Sequence, residues 1–79
     1  MDQAIFEKVA KIIADKLNID LASVKPEARF KEDLKADSLD LVDMIMEFED
    51  QFGVKISDKD ARDITTVGQV VEFLSGAVG

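Results

Sequence analysis

The chain has no cysteine, no histidine, no tryptophan and no tyrosine, and a single proline, Pro26, in 79 residues. Without cysteine there is no disulfide framework, no thiol nucleophile and no zinc-thiolate site. Without histidine the commonest general base and metal ligand is missing too. Most routes to catalysis are closed, and neither catalytic nor metal-ligating residues are expected. Long hydrophobic runs are also absent, and the opening "MDQAIFEKVAK" is amphipathic and carries acids. No targeting or membrane-anchoring segment is therefore expected, and the reading is of a cytoplasmic monomer that does not insert into membranes. Bases are in deficit: 10 Lys and Arg against 17 Asp and Glu give a net charge of −7. Such a chain repels nucleic-acid phosphates and attracts cationic protein surfaces. Its length fits one domain, residues 1–79, near the lower limit for a core without staples.

The negative charge is concentrated in one place. Residues 37 to 52 hold Asp37, Asp40, Asp43, Glu47, Glu49 and Asp50 with no Lys or Arg, whereas the other 63 residues carry 11 acids and 10 bases. The periodicity of the chain is helical. In "AIFEKVAKIIADKL", Ile5, Phe6, Val9, Ile12, Ile13 and Leu17 form one apolar side, which predicts a first helix over 3–17 closed by Asn18. Pro26 argues against helix just before it, so 18–37 reads as a long loop pinned by Ile19, Leu21, Val24, Phe30 and Leu34. A second helix is predicted near 38–52, ending at Gly53, and a short one is opened by Ser57 with Asp60 as its capping partner. Thr66 and Gln69 repeat that arrangement before a last helix, where Val67, Val70, Val71, Leu74 and Val78 form the apolar stripe. The expected fold is all-α: a four-helix bundle of three longer helices and one short one, with a long connection between the first two.

The second helix carries two apolar stripes. Leu41, Met44, Ile45, Phe48 and Phe52 cluster on a side suited to burial, while Leu39, Val42 and Met46 lie roughly 140° around the cylinder. An apolar strip rimmed by Asp43, Glu49 and Asp50 has the composition of a docking surface for a basic partner. The plainer alternative is that the long loop covers the strip and the acids are a solvated face. At the head of this helix stands Ser38. A serine there is ordinarily the N-cap. It is a poor nucleophile by itself, since no His takes its proton and Lys35 has no supporting serine or glycine loop. A third role is acceptor of a group installed by another enzyme, because a phosphate on Ser38 would sit at the positive end of the helix dipole.

"ADSLDLVDMIMEFEDQF", residues 36 to 52, resembles the acyl carrier proteins, whose Asp-Ser-Leu motif opens the second helix and whose serine bears 4′-phosphopantetheine. The likeness continues through "VKPEARFKEDL" before the motif and "FGVKISDKDARDITTVGQVVEFL" after it, and so spans almost the whole chain. The resemblance implies that Ser38 receives phosphopantetheine from coenzyme A through a holo-carrier synthase. The arm's thiol then holds acyl groups as thioesters for acyl transferases and fatty-acid synthesis enzymes with basic docking surfaces. It implies a carrier that serves as a tethered substrate, not an enzyme. Asp37, Leu39, Asp40, Val42, Asp43, Met46, Glu49 and Asp50 become candidate recognition residues. Phe30, Leu34, Met44, Phe48, Phe52, Ile56 and Ile64 become candidates to line an acyl pocket.

Two positions depart from the family pattern. Lys35 stands where glycine is frequent, removing glycine's freedom at positive φ, and Leu41 stands where threonine is common, adding burial. A calcium-loop reading of "DKDARDITTVGQ" fails, because Arg62, Asp63 and Gln69 occupy positions that need a ligand, a glycine and a glutamate. The alternatives left open are a carrier of polyketide, aminoacyl or other specialised groups, and an unmodified acidic interaction module.

Overall fold

Each α-helix begins beside a side chain that satisfies backbone N–H groups left free at its first turn. The computed structural model describes residues 2–78, with the Val78 side chain outside the description. Asp2 caps the first helix, α1 (Gln3–Leu17), its carboxylate accepting from the Ala4 and Ile5 N–H groups at 3.1 and 3.2 Å. Asn18 closes α1 in the left-handed region at φ 56°, a conformation its short amide side chain tolerates. After the loop come α2 (Ser38–Phe52), α3 (Asp58–Asp63) and α4 (Val67–Val78). The expected all-helical bundle is what forms, and no strand occurs among the described residues. No described helix is long and apolar enough to cross a membrane.

α1 packs against both α2 and α4. Val9 and Ile13 of α1, Met44 and Phe48 of α2, and Val67, Val70, Val71 and Leu74 of α4 are all essentially inaccessible to solvent, and Phe30 of the loop joins them. Val78, the last member of the predicted α4 stripe, lies outside the residues whose side chains are described. Ala10 and Ala14 are buried in the seam, which an apolar count based on larger side chains passes over. α3 contributes no buried residue, with Ala61 and Ile64 only half-buried against the core.

The connection between α1 and α2 is ordered by its own bonds. Val24, Phe30 and Leu34 are buried as expected, but Leu21 is not a pin. It lies in a short 3-10 turn, Leu21–Ser23, and is 53% exposed at the edge of a depression it shares with Phe6 and Ala10 of α1. Farther on, the loop supplies acceptors to the start of α4: the Val67 N–H donates to the Ala28 carbonyl at 3.0 Å and the Gly68 N–H to that of Pro26 at 2.8 Å. Phe30 N–H donates to the Thr65 carbonyl at 3.1 Å beside an antiparallel bridge between Arg29 and Thr66. Two donors that α4 cannot satisfy internally are thus met by the long loop. The Thr66–Gln69 box is reciprocal, with Thr66 Oγ1 accepting from Gln69 N–H at 3.2 Å and Gln69 Oε1 from Thr66 N–H at 3.0 Å. At α3 only the Ser57 half of the expected pair forms, Ser57 Oγ accepting from Asp60 N–H at 3.1 Å.

Within the loop, the Asp33 carboxylate accepts from the Arg29 N–H at 2.8 Å. That backbone bond, with the nearby Arg29 guanidinium, holds the Asp33 carboxyl below the usual aspartate range. The stabilisation is present above the ordinary aspartate pKa and is lost as pH falls through the lowered one.

Lys35 sits at φ 60°, so the residue in the usual glycine position keeps the backbone conformation that glycine favours. A left-handed non-glycine residue costs roughly 1–2 kcal/mol, against roughly 0.5–1 for glycine's extra unfolded-state freedom. The central net gain is about 0.75 kcal/mol, so Lys35→Gly should raise the unfolding midpoint by roughly 3–6 °C in a thermal melt, while Lys35→Ala leaves it nearly unchanged. A Lys35→Gly chain no more stable than Lys35→Ala would show that the strain is absent.

Candidate functional site

The head of α2 is capped by Asp37, not by Ser38 as the plain reading of the sequence expects. Asp37 is extended, at φ −93° and ψ −176°, and its carboxylate accepts from Asp40 N–H at 2.9 Å. The Asp40 carboxylate reaches back to the Asp37 N–H at 3.3 Å, completing a capping box. An ionised carboxylate at the positive end of the helix dipole is a better match than a neutral hydroxyl, so the acid takes the cap. Ser38 becomes the first helical residue, exposed, its hydroxyl relieved of capping.

Beside Ser38 runs a groove of about 400 Å³ between α2, α3 and the loop. Its apolar walls are Phe30, Leu41, Val42, Ile45, Ala61 and Ile64, and Lys31 and Arg62 are among its polar side chains. Beneath it lies an internal cavity of about 20 Å³, also bounded by Met44, Phe48 and Val70. Groove and cavity share Phe30, Leu41, Ile45, Ala61 and Ile64, so one layer of side chains separates the serine's surroundings from the core. A larger depression, about 670 Å³, lies on the other side of the loop around Ile19, Lys25 and Lys35 and does not include Ser38. The smaller groove is the one placed for chemistry at the serine.

Of the seven pocket candidates that the family resemblance implies, Phe30, Met44, Phe48 and Ile64 surround the groove or its cavity. The other three lie elsewhere. Leu34 faces the 670 Å³ depression, Ile56 is core, and Phe52 lies under the Lys8 ammonium, 4.9 Å from the ring centre. Leu41 and Ile45 were legible as groove residues: three and seven positions after Ser38, they lie within about 60° of it on the helix. Ala61 and Val70 carry no comparable signal.

The recognition candidates divide by what they already do. Leu39, Val42 and Met46 are 77%, 53% and 58% exposed, so the long loop does not cover the second stripe. Asp43 and Asp50 are exposed beside it. Asp37 and Asp40 are engaged in the cap. Glu49 is half-buried, and its carboxylate accepts from the Ile56 N–H at 2.7 Å, fastening the segment after α2. Glu47, the remaining acid of the cluster, turns toward α1, 3.7 Å from the Lys16 ammonium, and accepts from Gln51 at 2.9 Å. The negative charge of α2 is therefore partly structural, and Asp43 and Asp50 are the acids of the set most open to a visitor.

Because the Ile56 N–H loses its acceptor, Glu49→Ala should lower the unfolding free energy by roughly 1.5–3 kcal/mol in urea titration. Asp43→Lys should change it by no more than about 0.5 kcal/mol. Equal losses at the two positions would refute this division of the acids.

Comparison with known proteins agrees with the geometry. The family model described as a phosphopantetheine attachment site matches residues 7–74. The acyl carrier protein of Thermotoga maritima is 48% identical over 77 residues, covering 98% of this chain and 95% of that protein. A solved structure of the acyl carrier protein from Enterococcus faecalis superposes with a TM-score of 0.80 at 39% identity, covering 95% of both chains. An exposed serine at the head of an acidic helix, in this frame and at this similarity, places the chain in the acyl carrier protein family: a carrier rather than an enzyme, working through a 4′-phosphopantetheine group.

Proposed function

We propose that residues 1–79 act as one carrier domain, that Ser38 is the attachment point, and that the cargo is the growing chain of fatty-acid synthesis. The observation that supports this most directly is the exposed Ser38 hydroxyl, displaced from capping by Asp37 and opening onto an apolar groove. The surroundings suit a phosphodiester, since the hydroxyl lies in the first turn of a 15-residue helix, near the positive end of its dipole. In the attachment step, Ser38 Oγ forms the new O–P bond as the pyrophosphate of coenzyme A breaks and the nucleotide half departs. The serine proton is taken up by a base in the docked complex, and this chain offers carboxylates but no histidine for that role. When bound, the group supplies the thiol that a cysteine-free chain lacks, on a tether that raises the effective concentration of cargo at a docked enzyme.

The apolar layer beneath the groove supports an aliphatic cargo. The cavity itself, about 20 Å³, holds little more than one water-sized group. A longer chain is accommodated by moving the least anchored element, α3, and by repacking Met44, whose unbranched side chain adapts to irregular space. Leu39, Val42 and Met46 supply contact area to partner enzymes, and Asp43 and Asp50 steer their basic surfaces. The holo-carrier synthase and the acyl transferase are the first such partners, met by a monomer in the cytoplasm.

Incubation with coenzyme A and a competent holo-carrier synthase should add the mass of one phosphopantetheine to the intact chain, and none to Ser38→Ala. A wild-type chain that stays unmodified would overturn the assignment. With the holo-chain as substrate, Asp43→Lys should reduce kcat/KM of a partner acyl transferase about ten-fold or more; unchanged kinetics would remove Asp43 from the docking surface.

A further inference from the structure

We propose that Lys31 and Arg62 bracket the groove beside Ser38 as an anion site that holds the phosphodiester of the prosthetic arm, a role that rests on Ser38 being the attachment residue. The acidic chain places these two bases, one from the loop and one from α3, in the wall of the same groove as Ser38. The ion pairs among the described residues join Lys16 to Glu47 and Arg29 to Glu32 and Asp33, which leaves Lys31 and Arg62 with no carboxylate within 4.0 Å. Of the two acids that line the groove, Glu32 is turned to Arg29 at 3.2 Å, and Asp58 lies in the first turn of α3.

Charge on the other side of Ser38 has the opposite sign. Asp37 precedes it and Asp40 follows it by two, both fixed in the capping box. A phosphodiester on Ser38 is repelled by those carboxylates and attracted by the two cations, so the difference in potential points into the groove. Arg62 offers paired N–H donors that match two phosphate oxygens, and Lys31 a mobile point charge. The arm is thereby drawn toward the apolar layer above the cavity and away from Leu39 and Met46, which lie outside the groove. A docking enzyme with its own basic surface competes for the same phosphodiester and releases the arm on contact.

The test uses the loaded chain, with complete loading first verified by intact mass. Because the chain has no cysteine, a thiol-reactive nitroxide labels the arm alone. In wild type the spin-label spectrum should contain a slow component and the phosphodiester ³¹P resonance should be displaced from that of the same phosphopantetheinyl-serine diester on a short unstructured peptide. In Lys31→Gln with Arg62→Gln the slow fraction should fall roughly three- to five-fold, the change expected on losing two exposed charge contacts. High salt should do the same to wild type. Lys31→Arg with Arg62→Lys should retain the slow component, and Lys55→Gln with Lys59→Gln, which alters net charge equally outside the groove, should leave it unchanged. Fully loaded proteins whose spectra do not differ, or a salt-insensitive wild type, would overturn the anion site. A wild-type chain that never loads would instead overturn the attachment residue itself.

Discussion

Much of this molecule follows from the carboxylate of Asp37 taking the cap of α2. The capping box with Asp40 fixes where the helix begins, and so which residue is first on it and which way the side chains behind it face. Had the serine held that position, its oxygen would have been committed to a backbone N–H and its modification would have loosened the helix. With the acid in place, helix stability and availability of the hydroxyl are separate properties. The cap also puts two negative charges against Ser38, giving the proposed attachment residue a strong local field.

Once its start is fixed, α2 presents two unlike faces. One buries Met44 and Phe48 against α1 and α4 and half-buries Leu41 and Ile45 under the groove. The other leaves Leu39, Val42 and Met46 in solvent. The cost of the long α1–α2 connection is offset where its carbonyls satisfy the first donors of α4 and Phe30 enters the core. α3 is the least anchored element, with no buried residue, and it forms one wall of the groove. A buried three-helix frame with one wall that buries no side chain suits a carrier that must present its cargo.

The helices were legible because their apolar residues recur at 3.6-residue spacing and their ends carry Asn18, Gly53, Ser57 and the Thr66–Gln69 pair. The exposed strip of α2 was legible from angle alone, since one packed face cannot reach side chains some 140° away. What escaped was competition between neighbours: Asp37 and Ser38 are both good caps, and the choice depends on charge in the helix field. The acids were read as one patch because composition does not show that Glu49 turns inward to Ile56 or Glu47 toward Lys16. Leu34, Phe52 and Ile56 are apolar enough for a pocket, yet the path of the loop and the packing of α1 send them elsewhere. Those are tertiary facts without a local signature.

The central claim is that the acid, not the serine, holds the head of α2. Urea unfolding of Asp37→Ala and Ser38→Ala tests it most directly, read beside wild type at the same pH. The account predicts a loss of about 1 kcal/mol for Asp37→Ala, within the usual range for a lost cap, and a change under about 0.5 kcal/mol for Ser38→Ala, where alanine is a good helical residue. A Ser38→Ala chain as destabilised as Asp37→Ala would contradict it, because the hydroxyl would then be part of the cap.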